Sequence, residues 1–312
     1  MTKPSYDIVF GAPGQDGRIL IRGLLRKGRS VISFGRSDPA INHRNHLFFK
    51  LDLMDISNAL PLLDLYSINT VYYFAAVHSS QEQFTGLNEE HSKRVNCSVP
   101  AEIYQFLSLT KNIRHFIYAS SKLVFERDTG PYHSLLVRRN DNSYSHWKNE
   151  FEKIFDESVE KNISRTLIWF SNHDSIYRDK RFLLPRLAKK LAHSVKTGFQ
   201  LDVEHFEFEN DWGCAIEFMD AVVQYSSIER SEHRGEVYKQ FLSNQNSVDV
   251  NKLIKNCYLA LTRANEQDGV STNSEIGLSF LNSEEMICMP QRTSLHVLYK
   301  MSRHTLLTME KF

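Results

Sequence analysis

The sequence predicts an α/β chain built on a doubly wound parallel sheet, with a smaller C-terminal part. Three observations predict it. Short apolar runs alternate with amphipathic helical patterns from Tyr6 to Phe170. A turn with three glycines, Gly11-Ala12-Pro13-Gly14-Gln15-Asp16-Gly17, joins the first run to the first helical pattern. Residues able to do chemistry gather at the C-terminal ends of the runs, where ligands sit in such sheets.

The first strand is Tyr6 to Phe10, and the helix after it carries Ile19, Leu20, Leu24 and Leu25 on one side. The glycine turn between them makes a dinucleotide cradle. Its first glycine permits a tight turn. The second lets backbone approach a pyrophosphate, and the third lets the helix pack on the strand. The helix N-terminus offers unpaired N–H groups and a positive dipole end to phosphate. Gly28 ends the helix, and Ser30 to Phe34 is the second strand. Its tip reads Gly35-Arg36-Ser37, with no acid to bond a ribose 2′-hydroxyl. Arg36 there points to the 2′-phosphate of NADP.

Leu47 to Leu51 is the third strand, closing on Asp52-Leu53. Val71 to Ala76 is the fourth; its small terminal residues Ala75 and Ala76 are suited to lie against a cofactor. Asn88 to Leu109 is helical. His115 to Ser121 is the fifth strand and runs into two hydroxyls. Ser164 to Phe170 is the sixth. Leu183 to Lys196 is a basic amphipathic helix, and its lysines form a solvated face. Asp211-Trp212-Gly213 leads into another helix, and Val237 to Phe241 returns to the sheet. Ser247 is the expected N-cap of a further helix. Residues 264–283 are polar and turn-rich.

The chain has 312 residues, enough for a substantial core. Its 41% hydrophobic and 24% charged content is that of a soluble globular protein. A net charge of +1 makes no case for nucleic acid or an acidic membrane. No apolar run reaches membrane-spanning length. Met1-Thr2-Lys3-Pro4 leads directly into a strand, leaving no room for a signal peptide. The cysteines, Cys97, Cys214, Cys257 and Cys288, lack metal-type spacing and read as reduced thiols of a cytoplasmic protein. No metal is expected.

Ser143-Tyr144-Ser145-His146-Trp147-Lys148 opens a helix after a loop of Asp, Asn, Gly and Arg. Tyr144 and Lys148 are four apart, so they share a face. A tyrosine exchanges protons with a sugar hydroxyl or ketone when its high pKa falls, and a neighbouring ammonium lowers it.

Together these residues resemble the extended short-chain dehydrogenase/reductase family, and within it the GDP-mannose 4,6-dehydratase-like branch. The likeness spans about residues 6 to 255. It is carried by the Gly-Gln-Asp-Gly end of the turn, Arg36-Ser37, Asp52-Leu53, Phe74-Ala75-Ala76 and Tyr118-Ala119-Ser120-Ser121. Tyr144 with Lys148, Asn172-His173-Asp174-Ser175, Asp211-Trp212-Gly213 and Ser247-Val248 complete it. The resemblance implies a Rossmann-type domain over residues 1–173, with 206–245 returning to it. Residues 174–205 and 246–312 would then bind substrate. It implies Tyr144 as catalytic acid or base, Lys148 on the nicotinamide ribose, and Ser121 on the reacting oxygen. Gly11, Gly14 and Gly17 would face the pyrophosphate, with Gln15 and Asp16 beside them. Arg36 would hold the 2′-phosphate, Asp52 and Leu53 the adenine, and Ala75 and Ala76 would complete the NADP site. His78, Asn172 and Arg292 would meet a nucleotide-sugar. A homodimer or tetramer is implied too. Phe151, Ile154, Phe155 and Val159 would serve either that contact or core packing.

Two positions depart from the branch. Its dehydratases carry a glutamate two residues after the catalytic hydroxyl, where this chain has Leu123, preceded by Lys122. Leucine moves no proton, so elimination of water loses its acid–base group. Hydride transfer keeps everything it needs. The arginine usual before Asp-Trp-Gly is Asn210. The leading expectation is therefore an NADP-dependent reductase of a nucleotide-linked keto-sugar. A 4,6-dehydratase or epimerase, and a non-catalytic dinucleotide-binding protein, stay open beside it.

Overall fold

The computed structural model describes residues 5–78, 89–110, 113–126, 137–160, 163–198, 206, 208–227, 236–243, 247–268, 298–302 and 304–305, with backbone alone for 264–268. Two compact units emerge. One comprises Met1–Phe170 and Met219–Leu242, the other Ser171–Phe218 and Ser243–Phe312. Residues 171–173 and 206–218 thus fall in the second unit, whereas the sequence reading placed them in the first.

The first unit holds a seven-stranded, all-parallel sheet. Its strands are β1 (Ser5–Phe10), β2 (Val31–Gly35), β3 (His46–Lys50), β4 (Ser67–Tyr73), β5 (Ile113–Ser121), β6 (Ser164–Phe170) and β10 (Val237–Leu242). Their order is β10-β6-β5-β4-β1-β2-β3. This is a Rossmann-type order, and it reverses between β1 and β4. Phe10 pairs with Tyr73 there, so the glycine turn and Phe74-Ala75 leave the sheet side by side at the switch point.

The inner strands β1, β2, β4, β5 and β6 are largely buried and mostly apolar, whereas the edge strands β3 and β10 are half-exposed. Ile8, Phe10, Ile32, Phe34, Val71, Tyr73, Phe116, Tyr118 and Leu167 form one cluster. Helices α1 (Gln15–Arg26), α2 (Leu60–Asp64), α3 (Glu89–Lys93), α4 (Val99–Thr110) and α5 (Ser143–Glu157) follow the alternation. Gly28, at φ +74°, ends α1 in the left-handed region. The apolar positions of α5 divide. Phe151 and Phe155 are core, while Ile154 and Val159 are exposed.

Several boundaries move by a few residues, two of them for a reason the structure gives. β4 is Ser67–Tyr73 where the sequence suggests Val71–Ala76. After Phe74 N donates to Phe10 O at 3.0 Å, the chain turns across the first glycine. The helix after Ser247 is α8 (Val250–Asp268), and its cap is Asp249, whose carboxylate accepts from Lys252 N at 2.7 Å. Ser247 is displaced as cap because β11 (Val248–Asp249) pairs antiparallel with β8 (Glu209–Asn210).

In the second unit, β7 (Asn172–Asp174) pairs parallel with β9 (Trp212–Cys214). Helix α6 (Leu183–Thr197) packs on α8 through Leu184, Leu187, Leu191, Leu253, Ile254 and Leu261. Helix α7 (Ala215–Ser227) runs on from β9. No described helix is long and apolar enough to cross a membrane.

Far from the switch point, Asp7 in β1 is 1% exposed and held by Arg29. Nε meets Oδ2 at 2.5 Å and Nη2 meets Oδ1 at 2.6 Å. Burial pushes the Asp7 carboxyl up to about 6 against the pull of Arg29. A raised carboxyl binds more protons in the folded than in the unfolded chain. Its contribution to stability is therefore full below the unfolded value and is lost as pH rises through about 6. Arg29→Met removes the counter-charge and enlarges that loss. It should cost about 3 kcal/mol above neutrality and less near the unfolded carboxyl pKa. Urea denaturation on both sides of the Asp7 titration checks this. A penalty that does not vary with pH would show that Arg29 acts by packing alone.

Candidate active site

The glycine turn is fixed by its neighbours. Gly11 N and Ala12 N both donate to Phe34 O, and Gly14 N donates to Gly11 O. Gly11 has φ +92°, and a Cβ there would lie 2.7 Å from Ala75 N. Glycine is required twice over, by conformation and by close approach. A Cβ on Gly17 would overlap the Gly11 carbonyl oxygen. Gly17 therefore serves helix packing, the role read for the third glycine, and is not among the residues that line the cavity described next. Gly35 is a glycine the sequence reading left without a role. A Cβ there would overlap Pro13 Cδ, so Gly35 lets the β2 tip close on the turn.

Beside the turn opens a cavity of about 260 Å³. Gly11, Pro13, Gly14, Gly35, Arg36, Asp52, Leu53, Ala75 and Ala76 line it, together with Met54, His91 and Val95, which sequence reasoning missed. Gln15 is buried and donates to Asp16 Oδ1 at 3.1 Å, and neither side chain lines the cavity. Arg36 is exposed at the rim. One Asp52 carboxylate oxygen caps the 3-10 turns of Leu53–Asn58 by accepting from Met54 N. The cradle that a Cβ would fill, the uncapped α1 N-terminus at Gly14 and the rim arginine fit a dinucleotide.

The Tyr144 and Lys148 singled out in the sequence stand on α5. Asn142 caps the helix, its Oδ1 accepting from Ser145 N. Tyr144, Lys148 and Glu152 follow at intervals of four on one buried face. Tyr144 is 5% exposed and packs on His78, ring centroids 4.8 Å apart. Lys148 is 1% exposed, and its Nζ stands 5.4 Å from the centre of the Tyr144 ring. Nζ donates to Ala119 O at 2.7 Å and to Tyr118 Oη at 3.2 Å. Burial pushes the ammonium down to about 7, opposed by the Glu152 charge.

Why Tyr118 is held in place follows from a proline. Between α3 and α4 the helix takes a π-turn over Arg94–Ser98. Val99 N bonds Arg94 O across it, and Pro100 has no N–H to give. The carbonyls of Val95 and Asn96 are thereby released. Tyr73 Oη donates to the first at 2.6 Å and Tyr118 Oη to the second at 2.8 Å. The Asn96 carboxamide binds both Val77 N and Val77 O, fixing the chain between Ala76 and His78. Sequence reasoning missed Asn96 and gave Tyr118 no role of its own. The signal for Asn96 was Pro100, four residues on.

Ser121 ends β5, and its Oγ accepts from Leu123 N at 3.2 Å, capping a short 3-10 turn. That use leaves the hydroxyl proton for another acceptor. Ser120 instead donates to Glu152. The two adjacent serines thus part roles, Ser121 capping a turn and Ser120 buried against Glu152. Asn172 belongs to β7 of the second unit, as Asn210 belongs to β8. Arg292 lies outside the described residues. Among the described residues no cluster of metal-ligating side chains occurs.

Two curated relatives carry the name GDP-mannose 4,6-dehydratase. That of Vibrio cholerae is 22% identical over 255 residues, covering 73% of this chain and 65% of the relative. That of Sordaria araneosa, sdnI, is 23% identical over 247 residues, covering 70% of this chain and 42% of the relative. The chain thus spans less than two-thirds of the length of either. Among solved structures, MoeE5 in complex with UDP-glucose and NAD superposes with a TM-score of 0.72 at 16% identity. That match covers 96% of this chain and 99% of MoeE5, and shows a shared fold. The model of the NAD dependent epimerase/dehydratase family matches residues 8–238, and this chain belongs to that family.

Proposed function

We propose that this chain is an NADP-dependent oxidoreductase that reduces a keto group on a nucleotide-linked sugar. The observation that carries the reading is the buried face of α5. Tyr144 and Lys148 stand together there, while the position two residues past Ser121 holds the aliphatic Leu123. When bound, the dinucleotide supplies the hydride. Tyr144 donates a proton to the sugar oxygen, and Ser121 hydrogen-bonds that oxygen. Lys148 stabilises the phenolate left behind. Gly11, Gly14, Ala75 and Ala76 hold the pyrophosphate and nicotinamide side, and Asp52 and Leu53 the adenine. His78, Asn172 and Arg292 are assigned to the nucleotide-sugar. The names of the curated relatives favour dehydration as the second reading, and Leu123 speaks against it.

Arg36 supports NADP over NAD. An arginine–phosphate contact contributes about 1.5–3 kcal/mol, or roughly 10- to 100-fold in affinity. Arg36→Ala should weaken NADP binding by about that factor and leave NAD binding nearly unchanged, read by fluorescence titration of both. Equal losses for the two would remove Arg36 from the 2′-phosphate. The reaction itself is tested by NADPH consumption with GDP- and dTDP-linked keto-sugars.

A further inference from the structure

One buried acid at the reacting end has no part in the reaction as proposed. Glu152 lies one helical turn beyond Lys148 on the same face of α5, a spacing that places Cβ atoms about 5–6 Å apart. Its side chain is 2% exposed. Its carboxylate accepts from Ser120 Oγ at 2.5 Å, from Trp169 Nε1 at 3.1 Å and from Arg138 Nη1 at 2.5 Å. Arg138 is itself stacked over the Phe125 ring at 4.7 Å and donates to Asn149 Oδ1 at 2.9 Å. Three segments of the first unit, β5, β6 and the stretch at Arg138, thus converge on one carboxylate of α5.

We propose that Glu152 is the buried counter-charge that keeps the Lys148 ammonium protonated, and so a positioning residue for the Tyr144–Lys148 pair. The role assigned to Lys148 rests on the reductase reading; the charge coupling does not. A buried ammonium with neutral partners alone loses its proton. The direct partners of Lys148 are neutral, the Ala119 carbonyl and the Tyr118 hydroxyl. Titratable groups reach it or its partners from every side. Tyr118 comes from β5, with Tyr73 of β4 stacked behind it, and Cys97 from the π-turn. Tyr144 and Glu152 come from α5 itself. Burial pushes Tyr73 and Tyr118 well above their usual range and Cys97 up to about 11, so these stay neutral. Burial also raises Glu152, but Arg138, Ser120 and Trp169 all favour its ionised form. Glu152 is then the negative charge acting on Lys148 against burial.

The test is the titration of Lys148 by NMR, in protein labelled at lysine Cε and Nζ and assigned with Lys148→Met. In the wild type the midpoint should lie at or above neutrality. Glu152→Gln should lower it by about one pH unit or more. Glu152→Asp, which keeps the charge, should stay nearer the wild type. Ser120→Ala removes a hydrogen bond and no charge, and should leave the midpoint in place. A Glu152→Gln midpoint equal to the wild type overturns the proposal. So does a wild-type midpoint below about pH 6, which is readable even if the glutamine variant fails to fold. The titration needs no turnover, so a chain that reduces no keto-sugar leaves its result standing. Where turnover is present, the alkaline limb of kcat should shift with the Lys148 midpoint while KM stays fixed.

Discussion

Tyr144→Phe should lower kcat by about 10²–10⁴-fold, the usual contribution of a positioned proton donor, and leave the NADP dissociation constant close to that of the wild type. The substitution removes one oxygen and no volume that the core relies on. The ring sits 95% buried against His78 and below the Lys148 ammonium, and phenylalanine fills the same space. Helix α5 keeps its Asn142 cap and its Phe151 and Phe155 packing, so the fold is not at issue. A large fall in kcat with unchanged cofactor binding identifies the hydroxyl as the proton donor. Retained turnover would move that role elsewhere, and His78 is the titratable group already in ring contact with Tyr144.

Gly11→Ala should reduce dinucleotide affinity by about 100-fold or more, from two separable causes. A side chain at φ +92° costs about 1–2 kcal/mol in backbone strain. Its Cβ would also stand 2.7 Å from Ala75 N and 2.8 Å from the Phe74 carbonyl carbon. Relief of that overlap pushes β4's exit away from the turn and distorts the cradle. Gly14→Ala separates fold from ligand. Its Cβ would meet Gly11 O at 3.2 Å, a contact that a few tenths of an ångström relieves. That variant should keep its stability and still lose affinity, because the added methyl occupies the approach to the α1 N-terminus. Gly28→Ala is the control: φ is +74° with nothing within 4 Å. It should cost about 1 kcal/mol and leave binding intact. Equal affinity in all three variants would place the dinucleotide elsewhere.

Much of this was legible in the sequence because it is local. β6 spans Ser164–Phe170, as its run from Thr166 to Phe170 suggests, and α1 ends just before Gly28, a glycine in the left-handed region. Tyr144 and Lys148 share a face because helical spacing alone puts them there. What escaped is set by partners distant in the chain. The end of β4 depends on the close approach of Gly11. The cap of α8 depends on a two-residue pairing with Glu209–Asn210. Tyr118 reads as an ordinary strand residue until a π-turn, forced by Pro100, presents it with a released carbonyl. Glu152 carries no signal in the sequence, because Ser120, Trp169 and Arg138 reach it from segments distant in the chain. Gly17 is legible as the third glycine of the turn, where the helix packs close, here against Gly11 O.

Net hydride transfer to a nucleotide-linked sugar is the reaction proposed for this chain. Its most direct measurement is incubation with NADPH carrying deuterium at nicotinamide C4, against GDP- and dTDP-linked keto-sugars, with the products read by mass spectrometry. The account predicts one deuterium gained by one of these sugars per NADPH consumed, abolished by Tyr144→Phe. Keto-sugars that gain no deuterium, together with a 4-keto-6-deoxy product when the unoxidised GDP- or dTDP-linked sugars are incubated with NADP and no NADPH is consumed, would contradict it. That outcome would mean that some group other than Leu123 performs the elimination.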